Sequence, residues 1–381
     1  MSSSASYSES PTLFFELALQ IYTSLLLIVG LPGNAISGYI MATDRTNRLT
    51  TRILMVIIAV SDTAVLLTAV TRYWALEVLN SDFRNYSDLI CKLHVFAVAF
   101  FTDFAVGSLC AVAVERFLVV AFPQRANIVT SAKTVIIGMV AFAVALSIKN
   151  GIHFLIMGLQ EVITEGNATI FVCAPDEDYT RMTGIFKKID FFSFAVLPYV
   201  ILFSCNLYIY CVLKRQRKLL SAAINQKGVQ NRIPTVQVNS APPNFPTAAD
   251  TVERDDRVTD ISMNYRVVDQ KKSLSVSGGG GGPKSERRRR KPEDVMKILT
   301  ALTVVHVVCT LPGTIFTLLA EYTDLRRQKP TKYVLVMLIF TNNAINFFAY
   351  LASSERFRIQ FVNLLSCGRA NRHATPADGM S

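Results

Sequence analysis

The sequence predicts an all-α membrane protein, a seven-transmembrane helix bundle followed by a short amphipathic eighth helix. Of the 381 residues, 51% are hydrophobic and only 18% are charged, which is too little charge to cover soluble domains of this size. The mean hydropathy is +0.35. The formal net charge of +11 fits a membrane protein with positive charge on one side. A nucleic-acid-binding protein would be basic but not this apolar, and 7 cysteines are too few for a disulfide scaffold.

Seven apolar stretches are each long enough to cross a bilayer core, which takes about 20 helical residues. We number them spans one to seven. They are predicted at Leu17–Met41, Ile53–Leu76, Leu93–Val120, Thr134–Met157, Ile189–Leu213, Val295–Ala320 and Tyr333–Ala352. Residues 1–12 contain no Lys or Arg, so we expect an extracellular tail and an uncleaved first span rather than a signal peptide.

The distribution of basic residues predicts the orientation. Of the 39 Lys and Arg residues, 28 lie in or beside the segments that follow spans one, three, five and seven. Positive charge marks the cytoplasmic face. The short loops alone do not decide the matter, but the sequons at Asn85 and Asn167 both fall on the opposite side and are predicted glycosylation sites. We therefore expect an extracellular N-terminus and a cytoplasmic C-terminus.

The segments between and after the spans complete the predicted organisation. Helices one to five occupy residues 13–213, and helices six and seven occupy residues 295–352. Between them, residues 214–294 are predicted to form a disordered third intracellular loop, because they are polar and contain a Gly-rich run followed by five basic residues. This basic end either lies against anionic lipid or docks a signalling partner. Residues 353–366 are predicted to form an amphipathic helix on the membrane surface, and 367–381 a tail that begins at the lipidation candidate Cys367.

Ionisable and polar residues inside a membrane are costly and need a reason. Asp62 lies in the middle of span two, Asn34 in span one, and Asn342 and Asn346 in span seven. This polar core is either a hydrogen-bonded packing cluster or a switch that senses a cation or a proton. The pair Glu115–Arg116 marks the inner end of span three. Pro198 and Pro312 each remove a backbone hydrogen bond from spans five and six, so these helices can pivot there.

Together these positions resemble the rhodopsin-like family of G-protein-coupled receptors, over all seven spans. Gly33-Asn34 and Asp62 match the motifs of spans one and two, and Glu115-Arg116-Phe117 matches the triplet of span three. Cys309-Thr310-Leu311-Pro312 and Asn346-Phe347-Phe348-Ala349-Tyr350 are similar to the motifs of spans six and seven. Asn342 to Tyr350, with Ser353 to Arg358 after it, looks like the ending of peptide receptors. The stretches Val114 to Phe117 and Asn150 to Phe154 also resemble invertebrate neuropeptide receptors, including those for FMRFamide-like peptides.

The resemblance implies roles for these residues. Glu115 would hold Arg116 at rest and release it to a heterotrimeric G protein, and Tyr350 would swing inward in the open state. Asp62 with Asn342 and Asn346 would form a sodium-sensitive core, although Ala105 replaces a usual sodium-coordinating Ser. A Cys91–Cys173 disulfide would hold an outer loop over the ligand. Arrestin, receptor kinases and membrane lipids are further expected partners. No cofactor, nucleic acid or catalytic site is expected.

The residues at the outer helix ends narrow the ligand class. Val98 stands where amine receptors of this family carry Asp, and a retinal-binding Lys is replaced in span seven by Phe340. A cationic amine and retinal are therefore disfavoured, and the resemblance to peptide receptors implies an extracellular peptide. The ligand-pocket candidates are Arg72, Tyr73, Trp74, His94, Val98, Glu321 and Tyr322. The alternatives are a receptor of the same family for a non-peptide ligand, or a transporter or channel that spans the membrane several times.

Overall fold

The chain forms a bundle of membrane-spanning helices, seen here in a computed structural model that describes residues 10–126, 130–163, 169–230, 291–319 and 329–370. It divides into two compact units. The first contains residues 1–215 and 288–381 and holds the bundle. The second contains residues 216–287, of which the helical residues 216–230 are described.

The spans are helical because a backbone in lipid must satisfy its hydrogen bonds within its own segment. Serine side chains start two of them: Ser87 Oγ accepts from Ile90 N and Ser131 Oγ accepts from Thr134 N, both at 3.2 Å. The helices of the bundle are Ser10–Thr43, Leu49–Val65, Thr71–Val78, Asp88–Ala121, Ala132–Asn150, His153–Ile156, Thr180–Phe191, Leu197–Gln230, Lys291–Leu319, Lys329–Ala344 and Asn346–Ser353, and Glu355–Ala370 follows them. Single π-helical turns, Leu66–Val70 and Phe192–Val196, interrupt spans two and five.

Within the described ranges, six helices are long and apolar enough to cross a membrane. The bent pair Pro330–Ala344 and Asn346–Ser353, which meet at 53°, supplies span seven. The observed spans one to six are Phe14–Thr43, Leu49–Val78, Asp88–Ala121, Ala132–Ile156, Glu177–Leu219 and Met296–Thr317. The predicted seven-helix bundle is therefore correct, and the chain is a multi-pass membrane protein.

Several predicted boundaries are wrong, because hydropathy marks only the part of a helix that lies in lipid. The helix of span five continues through polar residues to Gln230, and that of span six begins at Lys291, so both ends of the predicted loop 214–294 are helical. Its residues 231–290 lie outside the described residues. The first helix begins at Ser10, inside the predicted tail. The last helix runs to Ala370 instead of ending at 366, so it includes the backbone of Cys367.

A β-hairpin between spans four and five was missed by the all-α prediction. Strands β1 (Met157–Ile163) and β2 (Thr169–Pro175) pair antiparallel, with Leu159 opposite Cys173. Met157, which was predicted to end span four, is therefore the first residue of a strand. The hairpin pairs its own backbone groups outside the helices and lies next to the outer end of span three.

Two clusters of buried side chains hold the bundle together. The outer cluster includes Val65, Leu66, Val70 and Phe340 from spans two and seven. The inner cluster packs span six residues against Tyr350 and against Phe357 of the last helix. Span four contributes little to either cluster and exposes a continuous apolar face: Ile136, Ile137, Val140, Val144 and Ile148. That face suits contact with lipid tails.

Candidate functional site

A cavity of about 370 Å³ opens between the outer ends of the helices, and we call it the outer cavity. Side chains from spans two, three, four, five and seven line it, and Met157 and Pro175 of the hairpin form part of its wall. The lining residues used below are Arg72, Tyr73, Arg84, His94, Val98, His153, Thr183, Phe186, Lys187, Asp190 and Phe340.

Four of the seven ligand-pocket candidates line this cavity: Arg72, Tyr73, His94 and Val98. Trp74 does not line it, and its role as a ligand contact stays a prediction. Its indole Nε1 instead donates to Ser24 Oγ of span one at 3.1 Å, because its helical position faces the neighbouring helix. Glu321 and Tyr322 lie outside the described residues.

Three polar atoms of the cavity wall are buried and have no hydrogen-bond partner among the described residues. They are His94 Nδ1, His153 Nδ1 and Thr183 Oγ1. His94 Nε2 donates to the carbonyl oxygen of Thr68 at 3.2 Å, so in the neutral ring Nδ1 is left as an acceptor. Unpaired buried polar atoms are costly, and a cleft that gathers several of them is suited to a ligand with polar groups.

A disulfide joins Cys91 to Cys173, with the two Cα atoms 5.5 Å apart, and ties β2 to the start of span three. The predicted pairing is therefore present. Asn85 Oδ1 accepts from the backbone N of Cys173 at 2.9 Å, and Asp88 Oδ1 accepts from Leu159 N at 3.2 Å. These contacts hold both strands at the cavity. Asn85 is half-buried, its glycosylation remains a prediction, and Asn167 lies outside the described residues.

A charged cluster inside spans three, four and five was not anticipated, since the sequence interpretation placed membrane charge only at Asp62 and at Glu115–Arg116. Lys149 Nζ donates to Asp103 Oδ2 at 2.8 Å, to Asp190 Oδ1 at 2.7 Å and to Ser193 Oγ at 2.8 Å. Asn150 Nδ2 also donates to Asp103 Oδ2, at 2.9 Å. We call these five residues the Lys149 cluster. The sequence does contain a signal for this cluster, because Asp103 and Lys149 are opposite charges inside two predicted spans.

The polar core in the middle of the bundle joins spans one, two and seven. Asn346 Nδ2 donates to Asp62 Oδ2 at 2.6 Å, and Asn34 Nδ2 donates to the backbone oxygen of Asn343 at 2.9 Å. Asn342 is also buried, at 8% exposure. Within the described ranges, no group of three His, Cys, Asp or Glu side chains could hold a metal ion. A sodium ion at Asp62 therefore remains a hypothesis from the resemblance.

The inner end of span three carries a buried ion pair. Glu115 is 3% exposed, and its Oε2 lies 3.2 Å from Arg116 Nε. Thr50 Oγ1 donates to Glu115 Oε1 at 2.8 Å, and Thr51 Oγ1 lies 3.3 Å from both carboxylate oxygens and accepts from Arg116 Nη2. Arg48 Nε is 3.9 Å from Glu115 Oε1. The hydrogen bonds of Thr50 and Thr51 to this ion pair were not predicted from the sequence, because adjacent Thr residues at the start of span two look like an ordinary helix start.

The remaining predicted switch residues are distributed around this pair. Tyr350 is fully buried, donates to Met55 Sδ at 3.8 Å and packs on Phe357. Phe117 contacts Tyr208 of span five, with ring centroids 4.9 Å apart. Pro198 lies two residues after the π-helical turn of span five, and Pro312 lies inside the helix of span six. An irregular turn and a proline thus lie close together in span five, and a pivot there stays a prediction.

Comparison with known proteins identifies relatives. The family described as "7 transmembrane receptor (rhodopsin family)" matches residues 33–350. The growth hormone secretagogue receptor type 1 of Rattus norvegicus is 30% identical over 139 residues, which cover 35% of this chain and 36% of that receptor. The human receptor of that name gives the same identity and coverage. A D(2)-like dopamine receptor of Takifugu rubripes is 24% identical over 213 residues, 56% of this chain and 43% of that receptor. The matched region thus spans about a third to under half of these relatives.

Proposed function

The chain belongs to the rhodopsin family of seven-transmembrane receptors, and we propose that it binds an extracellular peptide in the outer cavity and activates a heterotrimeric G protein at its inner end. Members of this family are signalling receptors and not enzymes, transporters or channels. The proposal includes a plasma-membrane location, with the N-terminus outside and the C-terminus inside.

The observation that carries the proposal is the outer cavity with its three unpartnered polar atoms, His94 Nδ1, His153 Nδ1 and Thr183 Oγ1. These groups come from three different spans, so a ligand that bonds to all of them would favour one arrangement of those helices. A ligand shifts an equilibrium only by its difference in affinity for the two states. Spans three and five also reach the inner end, where Glu115 holds Arg116, so the two ends can be coupled.

Two features favour a peptide. Val98 lines the cavity, so the acid by which amine receptors of this family hold their ligand is replaced there. Three acids follow the disulfide at the outer surface, and Glu177 and Asp178 are exposed, which suits a basic peptide. Their neighbour Asp176 is engaged locally, since its Oδ1 accepts from Asp178 N at 3.0 Å.

A second candidate is a non-peptide ligand with a cationic group. Asp190 lines the cavity and supplies a carboxylate that Val98 does not. The similarity to a dopamine receptor is consistent with this alternative. Val98 alone therefore does not exclude an amine, because a cationic ligand has a carboxylate at another position of the same cavity.

The proposed inner partners depend on the cytoplasmic face. Arg116 would meet the G protein once Glu115 releases it. Receptor kinases and arrestin would act on the polar third loop and the tail, and the basic residues there would also attract anionic lipids. Palmitoylation of Cys367 would add a second anchor to the last helix, because one acyl chain increases membrane affinity.

The test is nucleotide exchange on purified G-protein α-subunits by membranes containing the intact chain, with a peptide library and a set of biogenic amines as probes. We expect a peptide to stimulate exchange and Arg116→Ala to abolish the response at equal surface expression. Lys133→Ala, which removes an exposed cation from the inner end of span four, is the matched control and should respond. A response to amines alone would overturn the peptide class. Full signalling by Arg116→Ala would overturn the proposed inner mechanism.

A further inference from the structure

We propose that Asp190 is the anionic anchor of the outer cavity, and that it binds a cationic group of the ligand in exchange for Lys149. This inference rests on the proposed function, because it assumes that the outer cavity receives the ligand. The chemical group that the cavity would select is a cation, and the residue that would select it is Asp190.

The charges of the Lys149 cluster do not balance. One ammonium faces two carboxylates, since Lys149 Nζ lies 2.8 Å from Asp103 Oδ2 and 2.7 Å from Asp190 Oδ1. Asp103 and Lys149 side chains are 8% and 16% exposed, so they form a compensated buried pair. Removing one member of such a pair is strongly unfavourable. Asp190 is therefore the carboxylate that the cluster can release.

The surroundings of Asp190 differ from those of Asp103. Its side chain is 42% exposed and lines the outer cavity, so a group inside that cavity can reach it. Asp103 does not line that cavity and also accepts from Asn150. Lys187 lines the cavity on the same helix as Asp190, yet no ion pair joins the two in the part of the chain that the structure describes. A ligand cation would thus compete with Lys149 alone.

The cations of the cavity wall from span two and from the loop after it are already neutralised. Arg72 and Arg84 line the cavity, where both are bound to Asp82, with Nη2 to Oδ2 distances of 2.7 Å. Asp190 lines the cavity together with His153, whose Nδ1 is unpartnered, and with Phe186, whose ring centroid is 5.0 Å from that of His153. A ligand whose cation and aromatic or apolar part lie close together fits the part of the wall that contains Asp190. Such a group occurs both in a basic peptide and in an arylalkylamine.

Replacement of Lys149 by a ligand cation at Asp190 would also free part of span five to move. Lys149 binds Asp190 and Ser193, which lie on either side of the start of the π-helical turn Phe192–Val196. These two bonds tie the outer half of span five to spans three and four. A ligand cation that takes Asp190 removes one of the two ties while leaving the Lys149–Asp103 pair intact, so span five can move at its irregular turn.

The first experiment uses two probe pairs on cells expressing the intact chain, read by G-protein nucleotide exchange. One pair is an N-acetylated, amidated pentapeptide ending in Arg-Phe-amide and its citrulline counterpart, and the other is phenethylamine and 2-phenylethanol. We expect the charged member of the active pair to be about tenfold or more the better agonist. Asp190→Asn should remove that preference, and Glu161→Gln, which removes an exposed carboxylate from β1, should keep it. An unchanged preference in Asp190→Asn would overturn the inference. Which pair is active distinguishes a peptide from an amine.

The second experiment needs no agonist, so it decides the inference even if neither pair is active and the proposed function fails for these probes. Thr183→Cys places a thiol in the cavity wall, and the unmodified chain reports background labelling. Two methanethiosulfonates are added outside, one with a trimethylammonium group and one with a sulfonate group, and the ratio of their reaction rates with the thiol is measured. We expect this cation-to-anion rate ratio to be several-fold higher in Thr183→Cys than in the double variant Thr183→Cys with Asp190→Asn. Equal rate ratios in the two backgrounds would show that Asp190 presents no anionic site to the cavity.

Discussion

At the scale of single residues, Asp82 organises the cationic side of the outer cavity. It lies in the short loop after span two, where its carboxylate accepts from the side chains of Arg72 and Arg84 and also from the backbone N of Arg84 at 3.2 Å. Burial alone would raise the pKa of Asp82, but the hydrogen bonds and charges of the two guanidinium groups hold it well below its usual value. The carboxylate therefore stabilises the loop in its ionised form.

The first prediction follows from the direction of that shift. A carboxylate whose pKa is lower in the folded state contributes stability above its unfolded pKa of about 3.9, and loses this contribution as the pH falls toward the folded pKa. We expect the unfolding temperature of the solubilised receptor to fall between about pH 5 and pH 3, and Asp82→Asn to lower it at pH 7 and to flatten its acid dependence. Glu161→Gln is the control. Parallel pH profiles for the native chain and Asp82→Asn would contradict the assignment.

Individual residues also show what sequence could and could not predict. The Cys91–Cys173 disulfide and the proximity of Asp62 to Asn346 follow from motifs whose spacing is fixed by the family. The Lys149 cluster was missed although its residues lie in predicted spans. Whether two buried charges meet depends on how each helix is rotated about its axis. Helices that are apolar on nearly every side give little periodic signal for that rotation.

At the scale of helices, spans one, two and seven approach closely at Gly30. A Cβ atom there would lie 2.6 Å from Leu66 Cδ1 and 2.9 Å from the Cβ of Ala344. Small residues allow such approach in membranes, where association depends on close packing rather than on exclusion of water. This close packing at Gly30 sets the distance between spans one, two and seven, which carry the polar-core residues Asn34, Asp62 and Asn346.

We therefore expect Gly30→Val to lower the unfolding temperature of the solubilised receptor, with a cost of about 1–3 kcal/mol from overpacking. Gly138→Ala in span four is the matched control, because a Cβ there has no neighbour within 4 Å among the described residues. Alanine at that site should leave stability unchanged or raise it, since Gly is the poorer helix former. Equal effects of the two substitutions would show that helix propensity and not packing dominates.

Helix ends and the hairpin were less predictable than the spans themselves. The polar turns that extend span five to Gln230 carry no hydropathy signal, because they lie beyond the apolar stretch. The hairpin is held by Cys173, Asn85 and Asp88, which are contacts with residues distant in sequence. Two short strands of this kind are marginal alone, so their sequence need not show a strong local pattern.

At the scale of the whole molecule, the bundle has an outer cavity and an inner ion pair on the same long helices. Span three carries His94 at the cavity, Asp103 in the Lys149 cluster and Glu115 at the inner end. The inner apolar cluster surrounds Tyr350 and includes side chains of spans three, five and six. A shift of span five at its π-helical turn would therefore be passed to the contacts around Glu115 by packed side chains, which rearrange between discrete states.

Coupling of this kind predicts that weakening the inner ion pair alters both ends. In Glu115→Gln the amide still accepts from Thr50 and Thr51, but Arg116 and Arg48 lose their anionic partner. We expect several-fold more nucleotide exchange without ligand. The substitution destabilises the resting state, in which Glu115 holds Arg116, but not the active state, in which Arg116 is released. By linkage, the agonist should bind Glu115→Gln more tightly as well.

Thr50→Val separates charge from hydrogen bonding in this prediction, since it removes the 2.8 Å bond to Glu115 Oε1 and keeps the carboxylate. Its effect on exchange should be smaller than that of Glu115→Gln at matched surface expression. If Glu115→Gln raised exchange without raising agonist affinity, the two ends would not share one equilibrium. If it changed neither quantity, the ion pair would contribute to packing alone, and the coupling between the cavity and Arg116 would have to pass through spans five and six.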